Sequence, residues 1–264
     1  MSEALYTLDD SLWFEWIELE DIDSTNNFLR NYRPIIPKEI TLVTATHQTA
    51  GRGQQGNSWE SETGKNLLFS LRVHPHMVDA SQQFILSQAI ALAICESLQL
   101  YTDDIRIKWP NDIYWKDQKI CGILIENTLS GKQIETCIIG AGINVNQAVF
   151  HSDAPNPVSL IQITGVETEP SFLLAEVVKR FKHYYSKIKS NDTASITQAY
   201  TDALYRREGF YPYTDEKGLF HAQITSIEPT GHLVLTDKEG TQRRYAFKVV
   251  RFVIPTPTNQ VTEL

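Results

Sequence analysis

Two hundred and sixty-four residues with 42% hydrophobic and 21% charged side chains fit one large folded unit plus a small one, with ample material for a core. A formal net charge of −8 gives no bulk attraction for phosphate backbones, so nucleic-acid binding is not expected as the main role. The N-terminal segment has no basic stretch followed by an apolar one, and no apolar run reaches the roughly 18 residues that span a bilayer, so a cytoplasmic protein without a membrane partner is expected. Cys95, Cys121 and Cys137 are odd in number and lack Cys-x-x-Cys spacing, and read as buried reduced thiols.

In chain order, residues 13–20 read as a strand, followed by a helix opening at the cap-like Asp23-Ser24-Thr25-Asn26. Residues 40–46, β-branched and apolar, predict a second strand, and residues 66–73 a third. Residues 81–98 form a helix too apolar for a surface position. Short strands follow at 105–108, 113–115, 120–126 and 135–143, the last two joined by a hairpin at Ser130-Gly131-Lys132. Residues 171–189 and 193–205 read as two more helices. Past Gly209 short strands alternate with turns, as in a small barrel, so a boundary is placed there: 1–209 and 210–264. Early strand and helix, a run of antiparallel strands and late helices indicate an α+β fold rather than βαβ alternation.

Between the second and third strands lies Thr49-Ala50-Gly51-Arg52-Gly53-Gln54-Gln55-Gly56-Asn57-Ser58-Trp59, with the spelling of a dinucleotide-binding fingerprint. A true fingerprint opens a helix whose N-terminus takes the pyrophosphate; here a strand follows, and no acidic residue stands about 20 residues on to hold a ribose. Gly64-Lys65-Asn66 is no P-loop either, lacking the upstream glycine spacing and the hydroxyl after the lysine. The glycines still let backbone approach a ligand closely, and Arg52 between two of them can place a fixed cation on a carboxylate or phosphate. A plain flexible hairpin is the alternative, but it has no need of Arg52 and Trp59 so close together.

A second constellation is Lys108-Trp109-Pro110-Asn111-Asp112. Lys108 ends a strand, where an ammonium can project into a cleft and bridge two anions. Lys119 starts the next strand and Gly122 leaves space above the sheet. Gly140-Ala141-Gly142-Ile143-Asn144 thins to glycine again and ends in an amide. These residues alone indicate an anionic ligand and a nucleotide sharing a sheet surface, with solvated surface lysines as the alternative.

In this order, Asp23-Ser24-Thr25-Asn26, Gln48-Thr49-Ala50-Gly51-Arg52-Gly53, Trp59, Lys108-Trp109-Pro110-Asn111-Asp112, Lys119-x-x-Gly122-Ile123-Leu124-x-Glu126 and Gly140-x-Gly142-Ile143-Asn144 resemble the biotin protein ligases from about residue 13 to the end. Pro157-Val158-Ser159-Leu160 and the C-terminal barrel fit the same pattern. The resemblance implies a class II synthetase-like catalytic domain, a mixed and largely antiparallel sheet flanked by helices, plus an SH3-like C-terminal barrel. It implies two steps: biotin and ATP give biotinyl-5′-adenylate, and a lysine of a biotin carboxyl carrier domain of a biotin-dependent carboxylase then takes the biotin. By resemblance Lys108 and Arg52 are catalytic. Ser24, Thr25, Gln48, Gly51 and Gly122 join them around biotin. Trp59, Asn111, Lys119 and Asn144 join them around ATP, with packing in the core as the other reading of Trp59. Mg2+ is implied with ATP, with Asp112 as the candidate ligand.

Many relatives carry Arg where this chain has Gln54, so one cation is missing from the loop, with the Gln54 amide as a possible substitute. Only 23 residues precede Ser24, which leaves no room for a helix-turn-helix, so a repressor role is not expected. Lipoate or octanoate ligation on the same fold and a non-catalytic biotin-binding regulator are the competing readings. His74-Pro75-His76 reads as a strand-end turn rather than a metal site. Arg243, Arg244, Tyr245 and Lys248 face ATP, the carrier or solvent. An exposed sheet edge allows a monomer or a homodimer.

Overall fold

A computed structural model describes residues 13–53, 57–152 and 156–254; Gln54 and Gly56 of the glycine loop therefore lie outside the described residues. Seven strands form one sheet in the order β1-β2-β3-β7-β6-β5-β4: β1 (Phe14–Ile22), β2 (Ile40–Gln48), β3 (Leu67–Val73), β4 (Ile105–Lys108), β5 (Asp112–Trp115), β6 (Gln118–Ser130) and β7 (Gln133–Ile143). β1 and β2 run parallel and every other neighbouring pair antiparallel. The sheet is thus mixed and largely antiparallel, as the sequence pattern indicates.

The two faces of the sheet are covered differently. Phe69 and Leu71 of β3, Ile123 of β6 and Ile139 and Ile143 of β7 join the main core with α2 (Phe84–Leu98). All but one residue of α2 is buried, because α4 (Pro170–Lys189) and α5 (Thr193–Asp202) cover its outer side. That explains a helix apolar all round. On the other face α1 (Thr25–Asn31) packs through Leu29 against Val43 and Ile138. Ser70 and Arg72 alternate with the apolar residues of β3 and face α1.

Several boundaries differ from the sequence expectation for physical reasons. The expected helix 81–98 is a 3-10 turn over Ala80–Gln82, capped by the Asp79 carboxylate, followed by α2 from Phe84. The expected helix 193–205 stops at Asp202, because Ala203 and Tyr205 leave it to hydrogen-bond Ile107 of β4 at 2.9 and 2.8 Å. A short helix, α3 (Leu160–Thr164), begins at the end of the 157–160 segment, where Ser159 and Gln162 make a capping box. All three cysteines are buried and free, and burial pushes the Cys95 thiol up to about 12.

The C-terminal residues form a five-stranded antiparallel sheet in the order β11-β10-β9-β8-β12: β8 (Tyr211–Asp215), β9 (Gly218–Ile227), β10 (Leu233–Asp237), β11 (Gln242–Tyr245) and β12 (Arg251–Phe252). It is tied to the large unit by Trp109 Nε1, which donates to Gly231 O at 2.9 Å.

Arg72 fastens α1 to the sheet. It is buried, and Nη1 donates to the carbonyls of Leu29 and Tyr32 at 3.2 and 2.9 Å, satisfying groups that the end of the helix leaves unpaired. Replacing Arg72 with Met removes these bonds and strands the carbonyls, at a cost of about 2–4 kcal/mol. Calorimetry is expected to show Tm lowered by roughly 5–12 °C; a drop below about 2 °C shows that α1 is held by its apolar contacts alone.

Candidate functional site

A cavity of about 840 Å3 opens on the α1 face of the large sheet. Its floor comes from β6 and β7, where Gly122 stands directly opposite Gly142, and Leu124 opposite Gly140. Period-two alternation puts Gly140 and Gly142 on one face, so the strip has no side chains there. Other groups use that room. A Cβ on Gly140 would overlap the Asn26 amide, and one on Gly142 would overlap the Trp59 indole. At Gly122 a Cβ would come within 2.7 Å of the same indole. Trp59 therefore lies inside the cavity on the glycine strip, rather than in the core.

Trp59 reaches this place through the glycine loop. Trp59 N donates to Gly51 O at 2.9 Å and Gly53 N to Asn57 O, so residues 51–53 and 57–59 pair as two antiparallel arms. A Cβ on Gly51 would sit 2.7 Å from Trp59 O. Gly51 itself is not among the residues that line the cavity, and its bareness lets the two arms approach.

One end of the cavity is a neutral hydrogen-bonding cluster. Gln48 Oε1 accepts from Thr25 N at 2.8 Å and Thr25 Oγ1 at 3.1 Å. Ser70 Oγ lies 2.7 Å from Thr25 Oγ1 and 2.6 Å from Asn26 Oδ1. Ser24, Thr25 and Asn26 are buried although polar, which such a network allows. Ser24 caps α1 with its backbone, and its hydroxyl makes no cap bond.

Cations line the cavity as well. Arg52 donates to Asn27 Oδ1 at 3.0 Å and to Glu126 Oε1 at 3.1 Å. Glu126 also pairs with Arg30 at 2.5 Å and accepts from Asn26 Nδ2 at 2.9 Å. Lys119 Nζ lies 2.7 Å from Asp112 Oδ1. The Lys108 ammonium sits 5.3 Å from the Tyr114 ring and 5.0 Å from the Phe252 ring, a cation–π sandwich that reaches across to the small sheet. Burial holds its pKa below the ordinary lysine value; Asp112 opposes that, and Lys119 and Arg206 add to it.

Of the residues singled out in the sequence, Ser24, Thr25, Gln48, Arg52, Trp59, Lys108, Asp112, Lys119, Gly122 and Asn144 line this one cavity. Asn111 is buried beside it. The Oδ1 atoms of Asn111 and Asn144 and the Trp59 indole N–H are buried without a partner in the protein. Asn144 Nδ2 donates to Val158 O, so its amide is held in place while its oxygen is left open. Glu126, Asn26 and Tyr114 have no role assigned in the sequence, and Lys248, expected at ATP, the carrier or solvent, is among the lining residues. Glu126 and Asn26 stand within the quoted motifs, whereas the approach of Lys248 depends on how the two sheets pack. Among the described residues no group of three or more His, Cys, Asp or Glu side chains is placed to hold a metal. No helix among them is long and apolar enough to cross a membrane.

This combination of a seven-stranded mixed sheet, a glycine-floored cavity and converging cations matches known proteins. A profile of the biotin/lipoate A/B protein ligase family matches residues 18–144. The bifunctional ligase/repressor BirA of Bacillus subtilis (strain 168) is 30% identical over 216 residues, covering 79% of this chain and 65% of that protein. The biotin–[acetyl-CoA-carboxylase] ligase of Paracoccus denitrificans is 30% identical over 211 residues, covering 76% of this chain and 85% of that one. Among solved structures, the biotin protein ligase from Aquifex aeolicus in complex with biotin and ATP aligns with a TM-score of 0.74 at 25% identity, over 90% of this chain and 99% of that one. The chain belongs to the biotin/lipoate A/B protein ligase family. It spans less than two thirds of the ligase/repressors it matches, 65% for Bacillus subtilis and 62% for Salmonella typhimurium.

The bare strip makes a specific demand on the indole. Gly142→Ala is expected to displace Trp59, raising acrylamide quenching and shifting tryptophan emission to the red. In a Trp59→Phe background the same substitution is expected to leave emission unchanged. Identical quenching in Gly142→Ala and the parent shows that the indole does not rest on Gly142.

Proposed function

We propose that the chain is an ATP-dependent biotin protein ligase. The observation that carries the reading is the cavity itself, which brings together a neutral donor and acceptor cluster at Thr25 and Gln48, the cations Arg52, Lys108 and Lys119, and the glycine strip of the sheet. Biotin's ureido head is neutral and both donates and accepts, which suits Ser24, Thr25 and Gln48. Its apolar body suits the strip at Gly122. Its carboxylate is then directed toward Lys108 and Arg52.

Two anions must meet there. The biotin carboxylate oxygen attacks the α-phosphorus of ATP, the bond from that phosphorus to the bridging oxygen breaks, and pyrophosphate leaves with the electron pair. A fixed ammonium at Lys108 offsets the repulsion and stabilises charge that grows in the transition state. Its aromatic surroundings exclude water, which strengthens its field. Arg52, positioned by Glu126 and Asn27, closes the same region from the glycine loop. The open Asn144 oxygen and the buried indole N–H of Trp59 suit the nucleotide, as does Lys119. A magnesium ion bound with ATP would neutralise charge on the phosphates, and Asp112 is the lining carboxylate among the described residues that would face it. Lys119 already neutralises that carboxylate.

In the second step an uncharged acceptor lysine of a biotin carboxyl carrier domain attacks the acyl carbon. A free lysine has a pKa near 10.4, so the proton must leave first. The bond to the phosphate oxygen breaks and AMP departs. In this reading residues 1–209 form the catalytic domain and 210–264 an SH3-like domain, and the protein works in the cytoplasm as a monomer or homodimer.

ATP–pyrophosphate exchange tests the reading, with biotin, with lipoate and with neither acid. Exchange that requires biotin is expected. Exchange with lipoate alone moves the substrate to the other branch of the family, and no exchange with either, in folded protein with magnesium, leaves a binding module. Lys108→Met is expected to lower the biotin-dependent rate by about 10²–10³-fold. Because burial lowers the Lys108 pKa, the wild-type kcat/KM for ATP is expected to fall as pH rises through a value below 10.5, where the cation is lost. In Lys108→Arg that alkaline fall moves upward; an unmoved limb assigns it to another group.

A further inference from the structure

Residues 144–152 follow β7 without regular structure, yet polar bonds hold them. Gln147 is buried. Its oxygen accepts from Glu62 N at 3.0 Å and from Asn66 Nδ2 at 2.5 Å, and its amide donates to Val149 O at 2.9 Å. Gln162 of α3 donates to Ala148 O at 2.8 Å. The far end of the segment is held by Glu60. His151 N and Ser152 N, two successive backbone donors, reach Glu60 Oε1 and Oε2 at 2.8 Å each, and Gln147 Nε2 donates to Glu60 Oε1 at 3.2 Å. Consecutive N–H groups on one carboxylate form an anion nest, filled here by the chain's own side chain.

Glu60 directly follows Trp59, whose indole lies on the glycine strip and whose backbone N–H is bonded to Gly51 O. Ser58 and Trp59 line the cavity, and so do Asn144 and Ser152 at the two ends of the segment that Glu60 holds. One side chain thus couples two walls that are far apart in the sequence. Burial would raise the pKa of Glu60, but the bonds from Ser152 and His151 outweigh that and hold it below the ordinary glutamate value, so the carboxylate that holds the segment is ionised.

The geometry points to Glu60 as a positioning residue that fixes the 147–152 segment against the Trp59 arm and so keeps the acyl-adenylate in the cavity between the two half-reactions. The inference rests on the adenylation reading, and it asks for no contact between Glu60 and a substrate. Chemistry demands such a hold. A mixed anhydride free in solution is lost to water or acylates any amine it meets, so it must stay enclosed until the carrier lysine arrives. A carboxylate suits the task because an ionised acceptor holds N–H groups about twice as strongly as a neutral one. Biotin itself has no need of Glu60, since its proposed partners Thr25 and Gln48 stand on α1 and β2.

Glu60→Ala and Glu60→Gln test the inference, with Tm measured alongside. In the ligand-free protein, backbone amide exchange across 147–152 is expected to be faster in Glu60→Ala, whatever the activity. With biotin and ATP but no carrier, adenylate that escapes hydrolyses, so AMP formation reports its release. That rate is expected to rise about tenfold in Glu60→Ala and about threefold in Glu60→Gln, which keeps one acceptor oxygen. KM for biotin in pyrophosphate exchange is expected to stay within about twofold of the parent, and Tm within about 2 °C. If the parent shows no biotin-dependent exchange, the adenylation reading fails and this inference with it. If the parent is active and Glu60→Ala forms AMP at the parental rate, or its amide exchange across 147–152 is unchanged, this inference alone is overturned. It is overturned too if Gln serves no better than Ala while KM for biotin rises along with release, because that marks a general loosening of the cavity.

Discussion

Three positions without side chains, Gly122, Gly140 and Gly142, govern the architecture of the cavity. They lie together because β6 and β7 pair in a register that sets Gly122 against Gly142 and Leu124 against Gly140. A one-residue slip would turn apolar neighbours such as Ile123 and Ala141 into this space and expose the glycines to the α2 core. The core on the opposite face therefore fixes the register, and the register fixes the floor. Asn26 and Trp59 come down onto that floor from α1 and from the glycine loop. Each brings its neighbours: Asn26 carries Thr25 and Ser24 beside Gln48, and Trp59 is paired with the arm that bears Arg52.

Charge is organised around this floor by partial commitment. Glu126 gathers Arg30, Arg52 and Asn26, and Asp112 holds Lys119. Such pairs, partly exposed, add little to stability. Their effect is to hold cations in defined places without cancelling them all. Lys108 is different, because aromatic faces rather than a paired carboxylate surround its ammonium. One of those faces, Phe252, belongs to the C-terminal sheet, so the small unit completes the environment of the central cation. The clamp of Trp109 on Gly231 and Phe247 keeps the two units in that relation.

Much of this was legible in the chain. The alternation of β3, with Ser70 and Arg72 between apolar residues, and the uniformly apolar α2 declare which surfaces are buried. The motif residues around Gly51, Lys108 and Gly140 do converge on one cavity, as their types suggest. What could not be read depends on distant packing. Residues 203–205 look helical until Ile107 offers them hydrogen bonds, and local periodicity is silent about that. Trp59 carries no sequence signal separating a core ring from one lying in a cavity; that choice depends on two glycines some 60 and 80 residues away.

The most direct measurement of the central claim is a crystal structure of the protein with biotin and a non-hydrolysable ATP analogue bound. The account predicts biotin's apolar body on the Gly122–Gly142 strip, its ring system at Thr25 and Gln48, and Trp59 displaced from the strip or stacked over the ligand. Lys108 Nζ is then expected within about 3 Å of both the carboxylate and an α-phosphate oxygen. Ligand bound instead in the separate cleft beside Lys65 and Glu169, with the Trp59 indole still seated on the glycines, would contradict it.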